Sequence, residues 1–326
     1  MIAPDSFKGT MSSKKAARWI ETRLRFRYPD AEYVHLPLGD GGEGTVNAIL
    51  SSLPHFAIVT TKICDTVDPI GRPLQAKYYI VESEGNRYAL MESAAAGGLC
   101  LLSPSERNIL KADSTGVGLM IEDAAMQDVD EIVIGMGGTA FCDGGSGALG
   151  VLLFTEADVD SKHFTLLCDV DSPFCGPQGA AYTFAMQKGA SRSQLPTLDR
   201  ALREKAEKYR NLSGVDVSDM PFAGAAGGLA GMLMALYDST PVRGIRKVLD
   251  MIGFEKALEG ADLVVTGEGC ADASTLAGTA PMGVLEAVRE FCSRNGREQI
   301  PVLLMPGSFK EDAKEALEKA GFLLSL

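Results

Sequence analysis

Short apolar runs that end in polar, glycine-containing turns recur along this chain. The first run covers residues 1–4, and the second extends from Tyr33 to Leu38. Brief runs of this kind favour buried strands of a parallel sheet. Between them, Ser12 or Ser13 can cap a helix whose apolar residues recur on one face. The pattern therefore predicts a strand, a helix and a second strand, with a helical core stripe of Ala16, Trp19, Ile20 and Leu24.

The pattern changes near residue 70. A predicted strand from Ala57 to Ile63 is followed by the turn cluster Asp68-Pro69-Ile70-Gly71-Arg72-Pro73. Two alternating runs come next, Ala76–Val81 and Arg87–Met91, joined by Ser83-Glu84-Gly85-Asn86. They are typical of an antiparallel hairpin. Antiparallel strands after strand–helix units indicate that a second domain begins here.

Beyond the hairpin, strand and helix patterns alternate to the end of the chain, which is typical of α/β folds. The predicted strands are Glu131–Gly135, Phe164–Leu167, Leu263–Thr266 and Pro301–Met305. Helices are predicted from about Glu43 to Leu53, from Ser114, and over Ser193–Tyr209, Ala225–Leu236, Met282–Arg294 and Lys310–Ala320. Because the last strands can complete the sheet that begins at residue 1, the middle of the chain is interpreted as an insertion.

Two polar turns follow the first two predicted strands. They are Asp5-Ser6-Phe7-Lys8-Gly9 and Gly39-Asp40-Gly41-Gly42-Glu43-Gly44-Thr45. In an open α/β sheet, backbone N–H groups and carboxylates face a ligand at this position. Together the carboxylates and the lysine can hold a metal–phosphate group and a small polar substrate. Taken singly, each turn is equally well explained as an ordinary strand–helix turn with an N-cap.

Two later turns also suit phosphate or metal chemistry. The first, Gly135–Ala140 with Asp143-Gly144-Gly145, resembles an anion cradle, although it lacks the lysine and the spacing of a P-loop. The second, Cys168–Pro173, places Asp169 and Asp171 at a strand end. Paired acids suit Mg²⁺ or a general base, and a solvated loop is the alternative explanation.

The remaining polar turns are less specific. Gly224–Gly228 is expected to serve packing as much as binding. Thr266-Gly267-Glu268-Gly269, followed by Asp272, Ser274 and Thr275, again places polar groups at the carboxyl end of a strand. Lys188 adds a cation in a glycine-bounded loop, where a lone lysine is most often solvated.

Composition and charge exclude some classes of partner. Hydrophobic residues make up 46% of the 326 residues and charged residues 23%, which is ordinary for a folded protein of two domains. A net charge of −12 without any basic stretch argues against nucleic acid. No apolar run reaches the ~20 residues of a membrane span, and the first residues lack a signal-peptide pattern. Seven scattered cysteines and three histidines give no zinc spacing, so we expect a cytoplasmic protein with reduced thiols.

Several of these runs occur together in the order found in one family. They are IAPDSFKG, GDGGEGT, GMGGTA with DGG, CDVDSP, GPQGAA, QKGA, AGAAGGL and TGEG. In this order they resemble bacterial glycerate kinases of the type I family, over essentially the whole chain. The resemblance implies ATP-dependent phosphorylation of D-glycerate to 2-phosphoglycerate with Mg²⁺. It also implies two α/β domains with a cleft between them, a Rossmann-like domain of residues 1–70 and 255–326 and an inserted domain of residues 71–254.

Phosphoryl transfer needs alignment and charge neutralisation more than covalent chemistry, and the candidate roles follow from that need. Lys8 is expected to contact a phosphoryl or carboxylate oxygen, and Asp40 with Glu43 to work with Mg²⁺ or orient the substrate. Asp169 or Asp272 is the candidate base for the glycerate hydroxyl. Further candidates are Asp5, Ser6 and Thr275 for the substrate, Gly41, Gly42, Gly137, Gly138, Thr139 and Lys188 for the phosphates, and Asp171 for the metal.

The chain departs from the family pattern in the turn after TGEG. Where the family carries a basic residue, an amide and a lysine, this chain has Cys270, Ser274 and Thr279. Each lost charge-assisted contact to an anion is worth about 1.5–3 kcal/mol. These differences motivate a second hypothesis, a catalytically impaired relative that binds nucleotide or glycerate without turnover. A dinucleotide enzyme is disfavoured because no GxGxxG follows the first strand. A homodimer is compatible with the sequence.

Overall fold

The computed structural model describes residues 1–7, 10–39, 41, 44–53, 55–83, 85–277 and 279–324. In these ranges the strands are β1 (Ile58–Val67), β2 (Pro73–Ser83), β3 (Asn86–Glu92), β4 (Glu131–Gly135), β5 (His163–Cys168), β6 (Ser239–Arg243), β7 (Val264–Thr266), β8 (Val302–Leu304) and β9 (Leu323–Leu324). The α-helices are α1 (Ser13–Arg25), α2 (Thr45–Ser52), α3 (Ala94–Gly97), α4 (Thr115–Ala125), α5 (Ser146–Leu152), α6 (Ala180–Phe184), α7 (Leu195–Ser213), α8 (Leu229–Leu236), α9 (Gly244–Met251), α10 (Phe254–Leu258), α11 (Ala280–Arg294) and α12 (Lys314–Ala320). The predicted α/β class is confirmed.

The chain divides into two compact units. The first unit comprises Met1–Asp40, Gly44–His55 and Arg243–Leu326, and the second comprises Gly41–Glu43 and Phe56–Val242. Both boundaries lie earlier in the chain than residues 70 and 254, where the sequence places them. The first differs because β1, which the sequence assigns to the terminal domain, pairs with β2 along its whole length. The second differs because α9 packs closely on α11, where the buried Ile245 lies against Gly283.

The second unit contains a mixed sheet with the strand order β1-β2-β3-β4-β5-β6. The first three strands are antiparallel, so the predicted hairpin is confirmed as part of a three-stranded meander. β3, β4 and β5 are parallel. Ile132 and Leu166 on one face and Val133 and Leu167 on the other are fully buried, as expected for strands covered on both faces. The carboxyl ends of β4 and β5 therefore lie side by side at one edge of the sheet.

The first unit contains a parallel sheet in which β7, β8 and β9 are neighbours. Ile2 forms parallel bridges to His35 on one side and to Val265 on the other. Residues 1–4 thus lie between residues 33–38 and β7, which confirms that the last strands complete the sheet begun by the first residues. This order is that of a doubly wound fold, in which ligands bind beyond the carboxyl ends where the order reverses. Here that point lies between residues 1–4 and β7.

Helix α1 packs on the sheet of the first unit through the predicted stripe. Ala16, Ile20 and Leu24 are buried, and Trp19 is partly buried against Phe7, with the two ring centroids 5.8 Å apart. Residues spaced three to four positions apart lie on one face of a helix. Helix α1 can therefore bury these apolar side chains against the sheet while its polar side chains face water. Among the described helices, none combines the length and apolar character needed to cross a membrane.

Candidate functional site

A cavity of about 240 Å³ opens at the carboxyl ends of β4 and β5 in the second unit. It brings together five residues that the sequence predicts for the site: Gly137, Gly138, Thr139, Asp169 and Lys188. The rest of its lining is Leu99, Met136, Val170, Phe184, Gln187 and Ala226. Sequence reasoning did not select these, because an apolar or amide side chain in a loop carries no motif of its own.

The loop after β4 is held by two backbone hydrogen bonds. Gly138 O accepts a hydrogen bond from Leu99 N at 2.8 Å, and the Gly137 N–H donates to Gly41 O at 3.1 Å. The N–H groups of Gly138 and Thr139 have no acceptor in the part of the chain that the structure describes. Gly138 has a φ of 76°, which a residue with a Cβ adopts only with strain. The loop therefore leaves backbone donors available at the cavity.

Lys188 ends the 3₁₀ turn Met186–Lys188 and is buried, with an exposed fraction of 5%. Its ammonium donates to Thr139 Oγ1 at 3.0 Å and to Phe141 O at 2.8 Å. The alternative explanation of a solvated lysine does not apply, because the ammonium is held by the loop after β4. Its third N–H has no acceptor among the described residues.

Burial lowers the pKa of Lys188 below its usual value, while the negative charges of Asp143 and Asp169 oppose that shift. Burial also raises the pKa of the neighbouring Cys142 thiol to about 11, so this thiol is neutral near pH 7. Lys188 makes no hydrogen bond to a carboxylate among the described residues. Its charge is therefore free to be matched by an anionic ligand.

Asp143 has a structural role at this site. Its carboxylate accepts hydrogen bonds from Ser114 N and Oγ, from Gly145 N and from Gly147 N, at 2.8–3.2 Å. Side-chain oxygens commonly satisfy the free N–H groups at a helix start in this way. Asp143 therefore joins the first turns of α4 and α5 and supports the glycine-rich loop from behind.

The turn before α8 also reaches the cavity. Ala226 lines it with a φ of 50°, and Gly227 follows with a φ of 62°. A Cβ on Gly227 would lie 2.2 Å from Phe141 O, the same carbonyl that accepts from Lys188. Only glycine allows the two chain segments to approach so closely. The turn is thus needed for packing, as the sequence suggested, and it holds the Phe141 carbonyl in place.

Asp169 and Asp171 follow β5, and both are exposed. Asp169 lies on the cavity lining, whereas Asp171 does not. Mg²⁺ takes oxygen ligands and often uses one or two protein carboxylates beside the phosphates of its substrate. These two acids fit such a partial site. The described residues contain no cluster of three histidine, cysteine or acidic side chains within reach of one metal ion.

The first unit gathers a second group of predicted residues around the end of β7. Asp5 is buried, and its N–H donates to Gly267 O at 2.8 Å. Thr275 is fully buried, and its hydroxyl donates to Glu268 Oε1 at 2.6 Å. Asp272 N donates to Thr275 Oγ1 at 3.1 Å, so the turn from Glu268 to Thr275 is closed by its own side chains. Glu268 has no assigned role in the sequence-based prediction, although the TGEG motif contains it.

Of the remaining predicted residues, the structure describes Gly41 and Ser6. Gly41 belongs to the second unit, where its φ is 105° and a Cβ would come within 2.6 Å of Leu167 O. Ser6 is partly exposed beside Asp5. Lys8, Asp40, Gly42 and Glu43 lie outside the described residues.

Family comparison adds to this geometry. The model of the glycerate kinase family matches residues 1–164 and 154–324, which together cover nearly the whole chain. The chain belongs to the glycerate kinase family. Members of the glycerate kinase family are small-molecule kinases, and the family assigned from the motifs is confirmed.

Individual relatives agree with this family. The chain is 34% identical to a glycerate kinase from Halalkalibacterium halodurans, over 98% of this chain and 87% of the relative. It is 34% identical to the glycerate 2-kinase of Escherichia coli K12, over 96% of this chain and 86% of the relative. A crystal structure from Salmonella typhimurium LT2, assigned as glycerate kinase 2, superposes with a TM-score of 0.77 at 32% identity. The superposition covers 98% of this chain and 93% of the Salmonella chain.

Proposed function

We propose that this chain phosphorylates D-glycerate with ATP, gives 2-phosphoglycerate, and uses Mg²⁺. The observation that carries the proposal is a cavity lined by hydrogen-bond donors without acceptors. Gly138 and Thr139 contribute N–H groups, and Lys188 contributes one N–H of its ammonium. Because Thr139 Oγ1 accepts from Lys188, the hydroxyl hydrogen of Thr139 also remains to be donated. Such a set of donors suits the oxygens of a phosphoryl group.

Asp169 is the better candidate for the general base. It lies on the same lining as Lys188, and its carboxylate is an acceptor opposite a set of donors. Asp272, the other candidate, already accepts a hydrogen bond from the Lys310 ammonium at 2.8 Å. The choice of Asp169 therefore rests on its position at the cavity, beside Lys188 and the glycine-rich loop.

The chemistry follows from these roles. The bond between the γ-phosphorus and its bridging oxygen breaks, the glycerate oxygen bonds to that phosphorus, ADP leaves, and Asp169 takes the hydroxyl proton. Lys188 and the loop Gly137–Thr139 hold the transferred group and stabilise its charge. Mg²⁺, when bound, would neutralise further phosphate charge, and Asp171 is the acid that would hold it.

The proposal includes the setting of the enzyme. All seven cysteines are free thiols, which supports a reducing compartment such as the cytoplasm. The net charge of −12 supports a small-molecule substrate over nucleic acid. We propose that the protein acts without a membrane partner and that it forms a homodimer. Sedimentation analysis of the purified chain tests the homodimer directly.

The central experiment follows ADP release from the purified chain with ATP, MgCl₂ and D-glycerate. We expect turnover, with L-glycerate as the matched control. ³¹P NMR of the product identifies the hydroxyl, because a phosphate on the secondary carbon couples to one proton and a phosphate on the primary carbon couples to two. Calorimetric binding of D-glycerate without any ADP release would instead support the impaired relative.

A further inference from the structure

The loop after β7 carries acidic residues without a cation of its own. The sequence has no lysine or arginine between Lys256 and Arg289, yet the loop contains Glu268 and Asp272. This loop lies where the strand order of the first unit reverses, which is where doubly wound sheets bind ligands. Carboxylates repel an anionic substrate, so the cations that lie beside this loop affect how closely such a substrate can approach.

The loop after β8 lies against it and supplies a cation, Lys310. Backbone bonds join the two loops, from Gly307 N to Glu268 O at 2.9 Å and from Ala271 N to Ser308 O at 2.9 Å. A further bond runs from Lys310 N to Ala271 O at 3.0 Å. The main chain of Lys310 is thus fixed beside the acidic loop, and its side chain has only a short distance to span.

The Lys310 ammonium lies 2.8 Å from Asp272 Oδ2. This hydrogen bond raises the pKa of Lys310, so the ammonium remains charged well above neutral pH. Cys270 directly precedes Ala271, whose backbone is hydrogen-bonded to Ser308 and Lys310. Asp272 in turn donates its N–H to Thr275 Oγ1, whose hydroxyl reaches Glu268. The backbone of Asp272 and the side chain of Thr275 thus fix the residue that pairs with Lys310 close to the carboxylate of Glu268.

We propose that Lys310 is a substrate-positioning cation of the first unit, which neutralises Asp272 so that the carboxylate or phosphoryl oxygens of an anionic substrate can approach the loop after β7. This inference rests on the proposed function. Lys310 places a positive charge in the loop after β8, whereas the loop after β7 has an uncharged cysteine at position 270. The side chain is 60% exposed, so water and salt moderate the effect.

The test compares Lys310→Ala with Lys310→Arg and with Lys319→Ala. Lys319 is the matched control, because its ammonium makes an exposed ion pair with Glu315 on α12. We expect Lys310→Ala to raise the KM for D-glycerate about threefold to fivefold, with little change in kcat, because the lost interaction acts on binding. Lys310→Arg should retain most of the affinity, and Lys319→Ala should behave as the wild type.

A rescue variant separates a charge effect from a structural one. Cys270→Arg in the Lys310→Ala background returns a cation to the same neighbourhood, so the KM should fall back toward the wild-type value. The inference is overturned if Lys310→Ala and Lys319→Ala have the same KM, or if neither Lys310→Arg nor Cys270→Arg restores affinity.

Failure of the proposed function is seen separately, in the wild type. If the wild type releases no ADP, calorimetry with D-glycerate tests Lys310 alone, and Lys310→Ala should weaken binding by the same factor. Equal binding by the two proteins contradicts the role of Lys310. A wild type that neither turns over nor binds D-glycerate contradicts both proposals.

Discussion

Two lysines lie beside predicted site residues in opposite surroundings. Lys188 of the second unit is buried, with 5% of its surface exposed, and donates to the neutral oxygens of Thr139 and Phe141. Lys310 of the first unit has a side chain that is 60% exposed and pairs with Asp272. The pKa of Lys188 is lowered by burial, whereas the pKa of Lys310 is raised by its partner.

The difference shows what each charge can contribute. An ammonium removed from water without a carboxylate partner is costly to the fold, and that cost falls when an anion binds. Lys188 therefore gains more from a bound phosphate than from any described neighbour. Lys310 is already paired with Asp272, and water screens its charge. Its effect on the electrostatic potential at its loop is therefore small. A buried cation should decide catalysis, and an exposed pair should tune affinity.

Replacing Lys188 breaks this comparison most directly. Lys188→Met keeps the length of the side chain and removes the charge, so we expect kcat/KM to fall about 100-fold to 1,000-fold, as for the loss of one transition-state donor. The melting temperature should change little, because a buried ammonium is replaced by a thioether that fills the same space. Steady-state kinetics and calorimetry measure the two effects. Near-wild-type turnover in a folded variant would remove Lys188 from the site.

The two acids after β5 offer a matched pair for the next largest effect. Asp169→Asn should lower kcat about 100-fold, because general-base catalysis contributes a factor of this order. Asp171 lies in the same exposed loop but is not part of the cavity lining. Asp171→Asn should therefore retain kcat while requiring more Mg²⁺ for the half-maximal rate. Kinetics at a series of MgCl₂ concentrations distinguish them. Equal losses of kcat in both variants would contradict the assignment of Asp169 as base.

The strands and their terminal turns were predictable, because short apolar runs followed by glycine and acidic residues identify the edge of an α/β sheet. β4 was predicted at Glu131–Gly135, where the structure has it. β6 was missed, because Ser239–Arg243 is only partly buried and contains a proline, which lowers its resemblance to a strand. The first boundary was displaced because the pairing of β1 with β2 is a contact between strands that a single run does not reveal.

The site residues were predictable as types but not as partners. The motifs pointed to Thr139, Asp169 and Lys188, yet the burial of Lys188 depends on Thr139 and Phe141, which lie 49 and 47 residues away in sequence. The role of Lys310 depends on Asp272, 38 residues earlier. Sequence spacing carries no information about such distant contacts, so Lys188 was predicted for phosphate binding without its buried partners, and Lys310 was predicted only as the start of a helix.

The pH dependence of folding stability tests whether Lys188 is buried as a charged ammonium. The pKa of Lys188 is lowered on folding, so the unfolded chain binds more protons at this site, and stability rises as pH increases from the folded pKa toward the ordinary lysine value. The wild type should therefore gain stability relative to Lys188→Met between these two pKa values. Below the folded pKa the difference should be constant. Urea unfolding of both proteins at several pH values measures it, and a wild type that loses relative stability there would show that Lys188 is not buried as an ammonium.

The smallest effect is the response to salt, and it separates the two lysines without changing the fold. Raising the ionic strength from about 0.1 M to about 1 M shortens the screening length from about 10 Å to about 3 Å. An exposed charge loses most of its reach under this change, whereas a buried donor in direct contact with its acceptor loses little. The KM for D-glycerate should therefore rise with salt in the wild type, and less steeply in Lys310→Ala. The control Lys319→Ala should follow the wild type. If all three proteins respond with the same slope, the charge of Lys310 does not reach the substrate, and the affinity of the site comes from its buried donors alone.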